Sequence, residues 1–264
     1  MTNTMPQAYW SRLLRAILEF DLIEPNDRIL IGLSGGKDSL FLTYALSVLR
    51  DRLPMNLSLH AVFIDAQFSD DFDTDALRSF CDRVSIPLTV QKVNIAQAIK
   101  NQEGKDPCFT CAFFRRGAIG RIAKELGYNK IAYAHHHDDA VETLLMGLFS
   151  SGQIKTFRPK TYLSRQDLTV IRPLIYFRES ELADSVSIHG CSPLKNPCPL
   201  DGKTNRQDTK ELIERLGAQF PNLYAHLSAA MREDAVSDLW PKELTRAQMK
   251  EKHTAFMRRL HNKK

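Results

Sequence analysis

Three groups of residues in this chain could carry chemistry. Cys108-Phe109-Thr110-Cys111 sets two thiols at C-x₂-C spacing, and Cys198 follows in Asn196-Pro197-Cys198-Pro199. Two thiolates so spaced can share one metal ion or one cluster. A closed zinc site wants four ligands, and the evident set is three: Cys108, Cys111 and Cys198. A [4Fe–4S] cluster held by three cysteines leaves one iron open, able to carry an exchangeable sulfur. The alternatives are an all-thiolate zinc site that recruits Cys191, and a thiol redox pair. The C-x₂-C does not follow a strand, which counts against the redox pair. N–H groups at a helix start, with Arg115 and Arg116, are expected to favour the thiolates. Cys81 lies in an apolar helical stripe and reads as a core thiol.

The second group is Ser34-Gly35-Gly36-Lys37-Asp38-Ser39. Glycines let backbone N–H groups approach a ligand without a clashing Cβ. A helix N-terminus adds unpaired donors and a positive dipole end, which together make an anion site. Ser34 and Ser39 can donate to phosphate oxygens, Lys37 brings mobile charge, and Asp38 can hold Mg²⁺ or cap the helix. This is not the Walker loop, whose first glycine would fall on Ile31. The third group is His135-His136-His137-Asp138-Asp139, followed by Glu142. Asp139-x-x-Glu142 reads as an N-cap with its capping-box partner. In the functional reading, Asp138 or Asp139 offers oxygen ligands that suit Mg²⁺, and His135 or His136 faces phosphate or substrate.

The elements that must position these groups alternate. Arg28–Leu33 is a short apolar strand before the glycine turn, and Leu42, Ala45, Leu46 and Leu49 mark a helix after it. Leu57–Asp65 and Leu88–Val93 are further strands, with Leu77, Phe80, Cys81 and Val84 on a helix between them. Residues 111–126 read as helix and Lys130–Ala134 as a fourth strand. Val141, Leu144, Leu145 and Leu148 mark the next helix. Strand and helix alternate four times, which predicts an α/β fold: a doubly wound parallel sheet with helices on both faces. Ligands of such sheets sit beyond the carboxyl ends of the strands, where Ser34–Ser39 and His135–Asp139 both fall. Residues 151–173 read as a basic, irregular stretch ending in a short strand, Thr169–Arg172. Helices are expected near 178–188, 205–217, 221–236 and 242–261. The expected division is a sheet domain with an N-terminal helix over 1–175 and a helical extension over 176–264.

The Ser-Gly-Gly-Lys-Asp-Ser turn after a hydrophobic strand resembles the PP-loop of the ATP pyrophosphatases, whose fold is of the adenine nucleotide alpha-hydrolase type. The order of the remaining motifs narrows the resemblance: Cys108-x-x-Cys111, then Arg115-Arg116-Gly117, His135 to Asp139 with Glu142-Thr143, Ile171-Arg172-Pro173-Leu174, Pro197-Cys198 and Asn205-Arg206-Gln207. Over roughly residues 10–240 this set resembles the tRNA-cytidine(32) 2-sulfurtransferases. The resemblance implies that Ser34, Gly35, Gly36, Lys37, Asp38 and Ser39 bind ATP, with Asp65 and His135 near the nucleotide. It implies catalytic roles for Lys37, Asp38 and Asp139, and a [4Fe–4S] cluster on Cys108, Cys111 and Cys198. ATP would adenylate the C2 oxygen of a cytidine in tRNA, and sulfur from the cluster would then expel AMP. Better-known members carry a second cysteine three residues after the position of Cys198. Here that residue is Asp201, in keeping with a three-cysteine cluster. The implied partners are tRNA and a sulfur donor such as a cysteine desulfurase, with the chain a homodimer.

Composition agrees with an ordinary globular protein. The chain has 264 residues, 43% of them hydrophobic, with 36 Lys+Arg against 31 Asp+Glu. No stretch reaches the ~20 apolar residues of a membrane span, so no membrane is expected. Five cysteines without an export signal read as reduced thiols and a cytoplasmic location. The basic charge is concentrated from Lys242 to Lys264, where eight Lys+Arg face two acids. That tail reads as a polyanion contact or as a solvated helix face. With Lys155, Arg158, Lys160 and Arg165 it would hold RNA phosphates. Three other functions remain open: a lysidine-type tRNA ligase, which has no use for the cysteines; a PP-loop enzyme sulfurating another tRNA base or a small metabolite; and a non-catalytic zinc module binding RNA.

Overall fold

A computed structural model describes residues 5–69, 73–102, 106–194, 198–199, 205–233 and 243–261. Pro197, Asp201 and the tail lysines Lys242, Lys263 and Lys264 lie outside them. Six strands form one sheet: β1 (Arg28–Gly32), β2 (Ser58–Asp65), β3 (Leu88–Lys92), β4 (Lys130–Ala132), β5 (Lys160–Leu163) and β6 (Leu168–Ile171). Their order is β3-β2-β1-β4-β6-β5. The expected α/β sheet is present, and all neighbouring pairs are parallel except β5 with β6. This pair corrects the irregular reading of 151–173. Tyr162 of β5 is exposed and the other three strand residues are half-buried, so β5 has no buried apolar run to announce it.

Parity along the strands divides the core. Ile29 and Ile31 of β1, with Leu59, Ala61 and Phe63 of β2, face α1 (Gln7–Glu19), α2 (Lys37–Arg52) and α3 (Asp75–Arg83). Leu30, Val62 and Ile64 point the other way, onto α4 (Ile95–Lys100) and α5 (Pro107–Glu125). The sequence shows one apolar stripe on α2, but the helix is buried continuously from Ser39 to Leu49. The reason lies far along the chain: α7 (Glu179–Ala183) and α8 (Val186–His189) cover its outer face. Its buried hydroxyls are satisfied within the helix, Thr43 donating to the Ser39 carbonyl and Ser47 to the Tyr44 carbonyl.

After β4 the chain enters α6 (His137–Ser151), which ends at Gly152 with φ +62°, a left-handed C-cap that suits glycine. The single helix expected over 178–188 is two, α7 and α8, parted at Asp184–Ser185, where the Ser185 hydroxyl donates to the Leu182 carbonyl. α9 (Asn205–Gln219) and α10 (Leu223–Ala230) pack on α6. Every described side chain of α11 (Arg246–His261) is exposed. The chain runs outward from β1 through β2 to β3, then returns to place β4 on the other side of β1. That reversal makes the β1/β4 crevice the switch point at which ligands of such sheets bind. Both the glycine turn after β1 and the histidine turn after β4 open there.

A buried ion pair fastens this crevice from below. Lys130 of β4 and Asp27, just before β1, are 5% and 4% exposed. Lys130 Nζ lies 2.6 Å from Asp27 Oδ2 and donates to the Leu22 carbonyl at 3.0 Å. Asp27 also accepts from Asn129 Nδ2 and from the Glu24 N–H. Removing one partner strands the other charge in the core. Asp27→Ala is therefore expected to destabilise the fold by about 3–5 kcal/mol, read as a lower urea midpoint. Asp27→Leu combined with Lys130→Met should lose much less.

Candidate active site

The glycine turn is built to keep its donors open. Gly35 has φ +83°, a conformation that side chains strain to adopt. Ser39 Oγ closes the turn, donating to the Gly36 carbonyl (2.9 Å) and accepting from the Ser34 N–H and hydroxyl (both 3.1 Å). The Gly36 N–H donates to Ser34 Oγ at 3.4 Å, and the N–H groups of Lys37, Asp38 and Ser39 have no partner within their own helix. The Leu194 N–H donates to the Gly35 carbonyl at 2.9 Å, and its side chain lies 3.2 Å from where a Gly35 Cβ would stand. A strap from the far end of the chain thus lies across the turn.

Charges around Lys37 come from three elements. Its Nζ lies 3.2 Å from both Asp38 oxygens and 3.2 Å from Glu179 Oε1. Burial opposes the charge of Lys37, but Asp38 and Glu179 more than offset it and raise its pKa. Glu179 also takes Lys210 of α9 at 2.7 Å. Burial alone would raise the Glu179 pKa; hydrogen bonds and charge from Lys210 and Lys37 hold it down at about 2. Burial raises the Asp38 pKa against Lys37 and His136, and its buried Oδ1 makes no hydrogen bond.

The histidine turn faces three ways. His135 accepts from Arg172 Nε at Nδ1 (3.3 Å). Burial, with the charges of Arg172, Arg206 and His136, outweighs Asp139 and lowers its pKa to about 4. The ring is therefore neutral at pH 7 and carries its proton on Nε2. His136, not Asp139, is the N-cap of α6, which begins three residues earlier than the sequence reading placed it. The His136 N–H donates to Asp139 Oδ2 at 2.9 Å, and Nδ1 accepts from the Asp139 N–H at 3.4 Å, a capping box one turn before Asp139–Glu142. Asp138 is tied elsewhere: Arg178 Nε contacts both of its oxygens at 3.1 Å and the Glu179 N–H donates to Oδ2. Asp139 stays with the site, its Oδ1 2.8 Å from Arg206 and its Oδ2 3.4 Å from His136.

A cavity of about 320 Å³ opens between this ring of charge and α5. Leu33, Val62, Ile64 and Ile119 give it apolar walls, and Ser34, Arg115, Arg116, Tyr133, His135 and Arg172 give it polar ones. Burial lowers the Arg172 pKa to about 10, Tyr133 opposing and Arg116 adding to the effect. Arg115 Nε is buried without a hydrogen-bond partner. The cavity thus presents guanidinium groups and no carboxylate. Asp65 does not line it: its carboxylate accepts from the Gln67 N–H at 2.8 Å.

The C-x₂-C sits at the start of α5, as expected, but not as a thiolate-favouring pair. Asp106 is the N-cap, and its carboxylate takes the N–H groups of Cys108 and Phe109. Burial raises the pKa of Cys108, helped by Asp106, Cys198 and Cys111. Burial also raises that of Cys111; Arg115 opposes this and Cys198 adds to it. Cys198 is thus close enough to act on both. Among the described residues, no three or more His, Cys, Asp or Glu side chains are grouped to hold one metal ion. A cubane binds its cysteines at separate corners, so its ligands stand further apart than those of a single ion. Three soft sulfurs, Cys108 exposed and Cys111 and Cys198 half-buried, fit such a group, whose charge would deprotonate them. Cys81 and Cys191 are buried.

A mostly parallel sheet with this turn at its switch point defines a PP-loop nucleotide-binding protein, and the PP-loop domain family matches residues 8–212. The tRNA-cytidine(32) 2-sulfurtransferase of Syntrophotalea carbinolica is 35% identical over 245 residues, 91% of this chain and 92% of that protein. Its counterpart in Pelobacter propionicus is 34% identical over 239 residues, 89% and 87% of the two chains. The chain belongs to the tRNA-cytidine(32) 2-sulfurtransferase family. Its fold resembles that of the U34-tRNA thiolase NcsA from Methanococcus maripaludis, solved with its [4Fe–4S] cluster: TM-score 0.67, 21% identity, 85% of this chain and 76% of that one. Among the described residues no helix is long and apolar enough to cross a membrane.

Sequence reasoning missed Glu179 and Lys210. A carboxylate opening a helix and a lysine on another carry no signal until the fold brings Glu179 to Lys37 and Lys210 to Glu179. Glu142 was read only as a capping partner. It is buried, 3.0 Å from Arg206. Burial, with Asp139 and Glu179, outweighs Arg206 and Lys210 and raises its pKa to about 7. A carboxyl raised from 4.5 to about 7 in the folded state contributes fully below pH 4.5 and loses that contribution progressively as pH rises to about 7. Glu142→Gln should therefore gain in melting temperature relative to the parent between about pH 4.5 and pH 7.5, with little further change above.

Proposed function

We propose that this protein is an ATP-dependent tRNA sulfurtransferase that converts cytidine 32 of tRNA to 2-thiocytidine. The reading rests on one observation: α5 lines the cavity beside the glycine turn with Ala112 and Arg115 and carries Cys108 and Cys111 at its start. Nucleotide chemistry and sulfur chemistry thus share one helix, and Cys198 acts electrostatically on both of its thiols.

The chain's own residues account for the first half of the reaction. First-turn N–H groups of α2, Ser34, Ser39 and Lys37 grip the β- and γ-phosphates of ATP. Asp38 Oδ1 and Asp139 are the oxygens suited to Mg²⁺. Lys37 exchanges Glu179 for phosphate as the nucleotide enters. The apolar walls take a base, and Arg115, Arg116 and Arg172 meet the negative charge beside it. His135 offers its Nε2–H to the cytidine or the phosphate. The cytidine C2 oxygen attacks the α-phosphorus and pyrophosphate leaves. A sulfur nucleophile then adds at C2 and AMP departs with the oxygen. Cys108, Cys111 and Cys198 would hold the [4Fe–4S] cluster, which supplies an open iron for exchangeable sulfur. The target base leaves its stack to reach the cavity, which costs least in a loop. The reading carries with it a sulfur donor such as a cysteine desulfurase, a homodimer and a cytoplasmic location. Residues 1–175 form the ATP-binding part, and 176–264 add Cys198 and the basic tail.

Protein purified without oxygen should contain about four iron and four sulfide per chain, lost in Cys198→Ala. One zinc and no iron would overturn the cluster. Lys37→Ala should retain the iron and lower tRNA-dependent pyrophosphate release by about 100-fold or more. Unchanged release would overturn the role of Lys37.

A further inference from the structure

A second cleft, of about 650 Å³, begins two residues further along the histidine turn: His135 lines the first cavity, and His137 lines this one. Phe157, Ile175 and Met231 give it apolar walls. Lys155, Arg158, Lys160 and Arg232 give it four cations against one carboxylate, Glu233. That carboxylate neutralises little. Arg158 and Glu233 meet at 3.2 Å with side chains 77% and 89% exposed, and such pairs hold weakly in water. Arg232 is committed to Glu19 and the Tyr176 hydroxyl, and Lys160 to the Asp21 carbonyl. Lys155 is exposed. His137 Nδ1 is buried without a hydrogen-bond partner.

The two cavities share a wall. The Phe157 ring lies 5.1 Å from the His135 ring and 4.8 Å from the Arg172 guanidinium, and both of these line the smaller cavity. A ligand that fills both would have flat apolar bodies joined through negative charge. Two successive nucleotides of an RNA strand have that form. We propose that the larger cleft binds the unpaired nucleotide adjoining the one held in the smaller cavity. Its base packs against Phe157 and Met231, and its phosphate meets Lys155 and Arg158. Only an unstacked base can enter, so the site selects a loop over a duplex. The proposal rests on the RNA reading above and adds to it the place of the neighbouring residue.

The test measures binding of an anticodon stem-loop RNA by fluorescence anisotropy, with the base removed at each position flanking the target in turn. One abasic flank should weaken binding to the parent protein about tenfold and binding to Phe157→Leu much less. Lys155→Ala with Arg158→Ala should reduce the steepness of the salt dependence by about 1.4 in log–log slope while ATP binding stays unchanged. Tight binding of the intact stem-loop with no loss at either abasic flank overturns the cleft and leaves the RNA reading standing. No binding of any stem-loop by the parent overturns the RNA reading itself. Independently of the variants, 5-iodouridine at the flank should photocrosslink to residues 153–160. Crosslinks only elsewhere overturn the proposal.

Discussion

A phosphate-binding turn must hold its backbone N–H groups unpaired in a fold whose other buried donors are nearly all paired. Most of the site architecture serves that constraint. Gly35 takes a backbone conformation that side chains resist. Ser34 and Ser39 bond within the turn, their hydroxyl oxygens taking the N–H groups of Ser34 and Gly36 ahead of the first turn of α2. Leu194 fixes the Gly35 carbonyl from outside. The strap leads, four residues on, to Cys198. One segment therefore runs from the phosphate turn to the third thiol.

The charges separate into a permanent set and an exchangeable one. Asp27 and Lys130 are almost fully buried and bonded on every side, so neither can leave without stranding the other. Lys37, Glu179 and Lys210 are each about a third exposed. Solvent reaches and screens these pairs more than it does the buried one. The sheet is thus fastened beneath the crevice by a pair locked in the core, while in the proposed function an entering triphosphate would displace the pairs at its mouth. The guanidinium groups of Arg172 and Arg115 line the cavity, and burial lowers the Arg172 pKa there.

Much of this was legible in the sequence because it is local. The glycine turn, the C-x₂-C at a helix start, and the alternation of strand and helix are patterns over a few residues, and each lies where it was expected. Long-range pairing was not legible. Glu179 meets Lys37, and Lys210 meets Glu179, only because α7 and α9 fold back over α2 and α6. The same cover buries the outer face of α2, whose sequence shows one stripe. The helix start was misplaced by three residues because histidine is an unusual cap, and Asp139 resembles an N-cap whether it stands at that position or at N3. The thiols were read as favoured anions from the helix end alone. Asp106 occupies that end and reverses the expectation.

Strand parity explains what the site includes and omits. Val62 and Ile64 of β2 face α5 and line the cavity, whereas Asp65, one residue on, turns back to its own chain at Gln67. A one-residue step moves a side chain to the opposite face of a sheet, so proximity in sequence to a site-lining strand does not place a residue in the site. The same parity makes α5 the junction of the molecule. It is the helix that meets the cavity face of β2, its Ala112, Arg115, Arg116 and Ile119 complete the cavity wall, and its first turn carries the C-x₂-C. In the proposed function, a sulfur centre at that turn and a nucleotide against that wall would be held by one rigid element, their separation set by the rise of a single helix rather than by a loop.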